Sequence, residues 1–207
     1  MTRLLMLVVA VVFVVGNLTS AAPAPAARPD NQGPDFLPLA EGAKWEYRRT
    51  FEGQAGLKVK SLDVRVSEVA KGEGGGVQFT GDFESLGLEE RMVSAPEGVS
   101  YRGGLGRGDK PLALIRNSGK AGDQWTSLLP IGCGGFATAT AKASGPEEVE
   151  VPAGKFRAVK VTYTAVVWGN RRTMLVWYAD GVGVVKQVYC PDSANIVIEL
   201  VKHTPGK

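Results

Sequence analysis

The sequence predicts an all-β domain built mostly from antiparallel strands. Three observations carry this. Helix-type periodicity is nearly absent beyond the first apolar run. Apolar and polar residues alternate over short stretches, as strands with one wet face require. Turn residues recur about every ten residues, the spacing of a sandwich or barrel, and the 27 glycines of the chain suit such turns.

The chain opens on Arg3, an unbroken apolar run over residues 4–15, and then polar and small residues from Asn17 to Ala22. These are the three parts of a secretory signal. As a helix the run rises only about 18 Å, short of a hydrocarbon core of roughly 30 Å, so it suits cleavage and not anchoring. Residues 1–21 are therefore expected to be a signal peptide, with Thr19-Ser20-Ala21 at the cut and Ala22 as the first mature residue, and Ala24-Pro25-Ala26 as a second candidate for the cut. No cysteine stands nearby to accept a lipid, so stable membrane insertion after cleavage is not expected. Residues 22–35 are rich in Ala and Pro and too poor in large apolar side chains to offset their ordering entropy; they read as a disordered tether. A β-rich domain follows over residues 36–202, with 203–207 as a C-terminal tail.

Within the domain, Leu62, Val64 and Val66 alternate with Asp63, Arg65 and Ser67, and Val159, Val161 and Tyr163 alternate with Lys160, Thr162 and Thr164. Phe156 and Ala158 sit on the opposite parity to Val159, which predicts a bulge near Ala158. Residues 173–178 and 196–201 are apolar on nearly every position, as central strands covered on both faces are. A faint repeat links residues 36–103 to residues 111–202. Pro38-Leu39 with Trp45 is echoed by Pro111-Leu112 with Trp125, and the turn after Met92-Val93 is echoed by the turn after Leu175-Val176. Two repeated meanders would make either one curved sheet, a half-barrel, or a two-sheet sandwich, each half covering the other's apolar face.

The stretch Val151-Pro152-Ala153-Gly154-Lys155-Phe156, followed by Trp177-Tyr178-Ala179-Asp180-Gly181-Val182-Gly183-Val184-Val185-Lys186, and the opening from Pro38 to Tyr47 resemble uncharacterised extracytoplasmic bacterial proteins, many of them lipoproteins. The resemblance covers most of residues 36–201. It implies an exported β-rich fold, in some such proteins the curved half-barrel of lipoprotein carriers, whose concave face holds acyl chains.

The formal charge is +3, and removing Arg3 with the signal leaves 23 basic against 21 acidic residues. The two signs are interspersed, so no basic stripe for nucleic acid emerges. The single histidine, His203, stands four residues from the C-terminus, a poor place for a triad base; zinc sites built on two or three histidines are excluded. Glu147, Glu148 and Glu150 read as charges guarding an edge strand. The run from Gly103 to Lys110, with Arg107-Gly108-Asp109 inside it, lacks the Gly-Lys-Ser/Thr of a phosphate loop and reads as a flexible connection. In an exported chain Cys133 and Cys190 are expected to form a disulfide, worth roughly 4 kcal/mol by chain entropy. Trp45 and Trp125 read as core plugs. Trp168, beside Gly169-Asn170-Arg171-Arg172, reads as a hairpin tip or its shoulder, and Trp168, Arg171 and Arg172 are the candidate binding residues.

These observations predict a non-catalytic binding or structural module of the cell envelope or extracellular space, with no cofactor, no metal and no nucleic-acid partner. Its partner would be an envelope protein or an apolar ligand. Carriage of an apolar ligand or lipid on a concave face is the second reading, and a carboxylate-based envelope hydrolase the third.

Overall fold

The computed structural model describes residues 34–38, 40, 42–52, 60–71, 77–83, 88–101, 112–132, 135–190 and 195–206. The signal region, the tether up to residue 33 and the glycine-rich connection at 103–110 lie outside them. Among the described residues there is no helix. The strands are β1 (Lys44–Glu52), β2 (Lys60–Lys71), β3 (Val77–Phe83), β4 (Leu88–Ala95), β5 (Gly98–Tyr101) and β6 (Leu112–Arg116). The second series is β7 (Gln124–Gly132), β8 (Gly135–Val151), β9 (Gly154–Val167), β10 (Asn170–Ala179), β11 (Gly183–Cys190) and β12 (Asn195–Thr204).

All twelve belong to one sheet in the order β6-β5-β4-β3-β2-β1-β12-β11-β10-β9-β8-β7. Each series is an up-and-down meander, and the two join where β1 pairs antiparallel with β12, from Lys44↔Thr204 to Glu52↔Asn195. Of the two architectures the sequence allows, the curved open sheet is the one formed. Trp45 and Trp125 hold the second position of β1 and β7, and the two matching turns join β4 to β5 and β10 to β11.

The sheet stops short of a barrel. Its edges are β6 and β7, which share no ladder among the described residues. A side chain bridges them instead: Trp125 Nε1 of β7 donates to the Ala113 carbonyl of β6 at 2.9 Å, and from β9 Tyr163 Oη donates to the Leu114 carbonyl of β6 at 2.5 Å. Arg116 lies 5.9 Å from the Trp125 ring centroid, a cation over an aromatic face. The alternating small residues Ala139, Ala141 and Ala143 of β8 leave room on the inner face, where Val99, Ile115 and Trp125 pack.

A second buried cluster joins Trp45 and Tyr47 of β1 to Val149 and Val151 of β8, Trp177 of β10 and Leu200 of β12. It exists because the β8–β9 hairpin bends. The register between β8 and β9 shifts between Ala143 and Pro146, and beyond that point the hairpin turn reaches β12, with Ala153 N donating to the Leu200 carbonyl at 2.9 Å. The bulge expected near Ala158 is thus on the partner strand. Ala158 and Val159 are both buried because each faces a different cluster, so β9 needs no irregularity of its own.

Three further expectations are corrected. β12 runs on to Thr204, with His203 paired to Trp45, so the tail begins later than residue 203. Asp35, placed in the tether, is fixed to the turn after β10: its N–H donates to Asp180 Oδ1 at 2.7 Å and its carbonyl accepts from Gly181 N at 2.9 Å. The Cys133–Cys190 disulfide is absent, because Cys190 carries a free, half-buried thiol. β7, which ends at Gly132, stands four strands from β11. That is roughly 19 Å along the sheet at about 4.8 Å per strand, and bridged Cα atoms must come within about 7 Å. Cys133 itself lies outside the described residues.

Candidate functional site

Trp168 and Gly169 form the two-residue loop between β9 and β10, closed by the Val167↔Asn170 pair. Their φ values are +50° and +80°, both left-handed, as a type I′ turn requires. Glycine takes that conformation freely. A tryptophan does not, and a non-glycine residue held there costs on the order of 1–3 kcal/mol. Packing returns nothing for it, since Trp168 is 81% exposed and Val166 beside it 72%.

Arg171 pairs with Val166 and so shares its face of the hairpin, while Arg172 pairs with Ala165 and takes the face of the buried core. Arg171 is exposed; Arg172 is half-buried and has a partner within the fold. The structure therefore brings Trp168 and Arg171 together with Val166, which the sequence did not single out, and sets Arg172 apart.

From this tip an open groove of about 610 Å³ runs over the outer face of β7–β10. Its floor carries a cross-strand row of hydroxyls, Thr126↔Thr140↔Thr164, which the register continues to Thr173 of β10 beyond the lining. A second row is Gln124↔Lys142↔Thr162. Among the described residues, the charged side chains in its lining are Lys142 and Arg171. The Thr162-Tyr163-Thr164 pattern was legible as part of a strand, but Thr138-Ala139-Thr140 was not singled out and the register that aligns the two was not legible.

A second open groove, of about 620 Å³, lies between the segment before β1 and strands β9 and β10. Phe36, Phe156, Val159 and Tyr178 give it an apolar wall, and Lys155 and Arg157 border it. Phe36 meets Tyr178 edge to face at 6.4 Å. Beneath it Tyr178 and Tyr163 are joined at 2.9 Å. Because the Tyr163 hydroxyl hydrogen goes to the Leu114 carbonyl, Tyr178 is the donor of that pair. Burial pushes the Tyr178 hydroxyl up to about 12, and burial with the neighbouring Tyr178 raises Tyr163 well above its ordinary value. Both stay protonated at physiological pH and serve as hydrogen-bond donors within the fold.

The acidic residues divide in the same way. β7 pairs with β8 only as far as Lys142, so the distal half of β8 has β9 as its ladder partner, and Glu148 and Glu150 are exposed there as edge charges would be. Glu147 instead accepts from Trp177 Nε1 at 2.7 Å and from Lys160 Nζ at 3.0 Å. The indole bond first and the ammonium second hold its carboxyl below the usual range. Glu199 is worked against by burial, yet Arg48 and Lys186 hold it low. These carboxylates are anchored ions, ill suited to the raised pKa of a general acid.

His203 stacks on Trp45 at 5.3 Å and 21°, and burial pushes its pKa down. A depressed histidine contributes stability above its unfolded value, near 6.5, and loses it as pH falls, because the unfolded chain takes up the proton first. Glu147 and Glu199 act in the same direction below about 4.5. The melting temperature is therefore expected to fall from pH 7.5 to pH 5.5 and again below pH 4.5. His203→Phe, which keeps a ring against Trp45, should remove the upper step; an unchanged profile would contradict this assignment.

The fold and the tip define an open, curved β half-barrel with an exposed aromatic hairpin. Residues 136–189, from β8 into β11, match the family described as DUF3108-like. The chain is similar to the crystal structure of a protein with a YmcC-like fold, described as exported, from Bacteroides fragilis. That likeness has a TM-score of 0.55 and 15% identity, and covers 83% of this chain and 99% of that one; at such identity it speaks for the fold alone. A lipoprotein from Parabacteroides distasonis aligns at TM-score 0.44 and 14% identity over 84% of this chain and all of that one. The lipoprotein YmcC from Escherichia coli aligns at 0.38 and 13% over 79% and 85%. No curated protein sequence matches the chain.

Proposed function

We propose that this protein is an exported, non-catalytic binding module of the bacterial envelope or extracellular space, and that it holds its partner through the β9–β10 tip. The observation that carries this is Trp168, an 81% exposed tryptophan in a left-handed backbone conformation. The fold gains nothing from a tryptophan there, and asparagine would serve the turn better. A large amphipathic ring at a rigid tip beside a guanidinium is the composition of an interface anchor. The signal-like start and the exported character of the similar proteins support the compartment. The test is co-sedimentation with washed bacterial envelope particles. The wild-type protein should sediment, and Trp168→Asn should leave at least tenfold more protein in the supernatant. Equal sedimentation of the two would overturn the reading.

Carriage of an apolar ligand is supported by one observation, the groove walled by Phe36, Phe156 and Tyr178 with Lys155 and Arg157 on its border. That arrangement suits a ligand with an apolar body and an acidic head. It would show as lipid retained by the purified protein and lost in Phe156→Asp.

A further inference from the structure

Five cations on this sheet meet carboxylates among the described residues. Lys160 meets Glu147, Lys186 and Arg48 share Glu199, Lys155 meets Glu150, and Lys44 meets Glu46. Among the described residues, neither Lys142 nor Arg171 has an ion-pair or hydrogen-bond partner, and no carboxylate lines the groove they share. Two unneutralised cations therefore flank rows of threonine hydroxyls whose strands stand about 4.8 Å apart.

From this geometry we infer that the groove over β7–β10 binds an acidic polysaccharide, a chain of sugar rings bearing carboxylates. The inference rests on the binding-module reading and names the ligand class of that surface. Each element of the groove has a use for such a chain. Threonine hydroxyls both donate and accept, as sugar hydroxyls do, so either polarity of contact can be met. The rows repeat across successive strands, which suits a polymer more than a compact molecule. Lys142 and Arg171 supply charge complementarity for carboxylates, with Arg171 able to engage one in a bidentate manner. Beyond Val166 and Arg171, which line the groove, the exposed Trp168 at the hairpin tip offers a face on which a sugar ring can rest. The wide, open shape gives access to an internal stretch of a long chain, where an enclosed pocket would admit only an end.

Affinity electrophoresis through gels containing polygalacturonate, dextran or polyglutamate tests this on the whole mature chain. Polygalacturonate should retard the protein at least tenfold more strongly than either neutral dextran or polyglutamate, which has the charge without the hydroxyls. Lys142→Gln with Arg171→Gln should reduce retardation at least tenfold. Thr140→Val with Thr164→Val, which keeps β-branching and volume, should weaken it several-fold. No retardation by polygalacturonate, or retardation unchanged in the Lys142/Arg171 variant, would overturn the inference. Equal retardation by polyglutamate would overturn the saccharide class. The two readings separate through Trp168→Asn: if retardation is lost there but kept in the groove variants, the groove inference fails and the tip reading stands. If it is lost in the groove variants but kept in Trp168→Asn, the tip reading fails and the groove stands.

Discussion

Replacing Trp45 with alanine is expected to lower stability by about 4 kcal/mol, the largest single-residue effect in the molecule. Trp45 is 3% exposed and sits in the second buried cluster. Its Nε1 donates to the Val182 carbonyl at 2.6 Å, across 137 residues of sequence. Its ring stacks on His203. One side chain thus ties the first strand of the first meander to the last strand and to the β10–β11 turn of the second. Alanine removes the buried ring, leaves a cavity beside Leu200 and Val185, and strands a buried carbonyl; these losses add. At about 3 °C per kcal/mol for a chain of this size, the melting temperature should drop by roughly 12 °C. Trp45→Phe, which keeps much of the ring area and loses the hydrogen bond, should cost about half as much. Urea unfolding measures both, and a loss under about 1 kcal/mol for the alanine variant would contradict the placement of Trp45.

Gly98→Ala should be nearly as damaging, at about 3 kcal/mol, by a different route. Gly98 opens β5 with φ +142°, and an added Cβ would stand 2.1 Å from the Ile115 carbonyl oxygen and 2.9 Å from the Arg116 Cα. Both obstacles are backbone, so no rotamer change relieves them. The strain of the φ value alone is on the order of 1–3 kcal/mol, and escape from the clash requires β6 to move off β5. β6 is the sheet edge whose carbonyls receive Trp125 and Tyr163. The variant should therefore expose Trp125, and its fluorescence should become accessible to acrylamide. By contrast, Gly122 has no atom within 4 Å of a built Cβ, although its φ is +94°. Gly122→Ala should show conformational strain alone and leave Trp125 shielded. If Gly98→Ala behaves like Gly122→Ala, the close approach of β5 and β6 is wrong.

Much of this fold is legible from local pattern. The alternation at Val159, Val161 and Tyr163 gives the face of β9, and the two tryptophan starts mark equivalent strands of the meanders. Local pattern cannot say which strand stands beside which. The β1–β12 pairing joins residues 151 apart at Arg48 and Glu199, and nothing in either stretch names the other. The same blindness placed a disulfide between strands four apart and put the bulge on β9, where two buried neighbours of opposite parity reflect clusters on both faces. It also left His203 at a frayed end, because its partner Trp45 is distant in sequence. At the candidate site, Trp168 beside Gly169 was readable as a hairpin tip. The groove was not, since threonine is an ordinary strand residue until register aligns Thr126, Thr140, Thr164 and Thr173 in one row.

A side chain kept for stability and one kept for binding respond oppositely when replaced by a better turn former. Trp168→Asn, measured on one preparation for both melting temperature and envelope co-sedimentation, tests this most directly. The variant is expected to melt higher by about 3 °C, from relief of about 1 kcal/mol of left-handed strain, while its sedimentation with the envelope is lost. A variant that melts lower and still sediments would show Trp168 to be a structural residue, and would contradict the account.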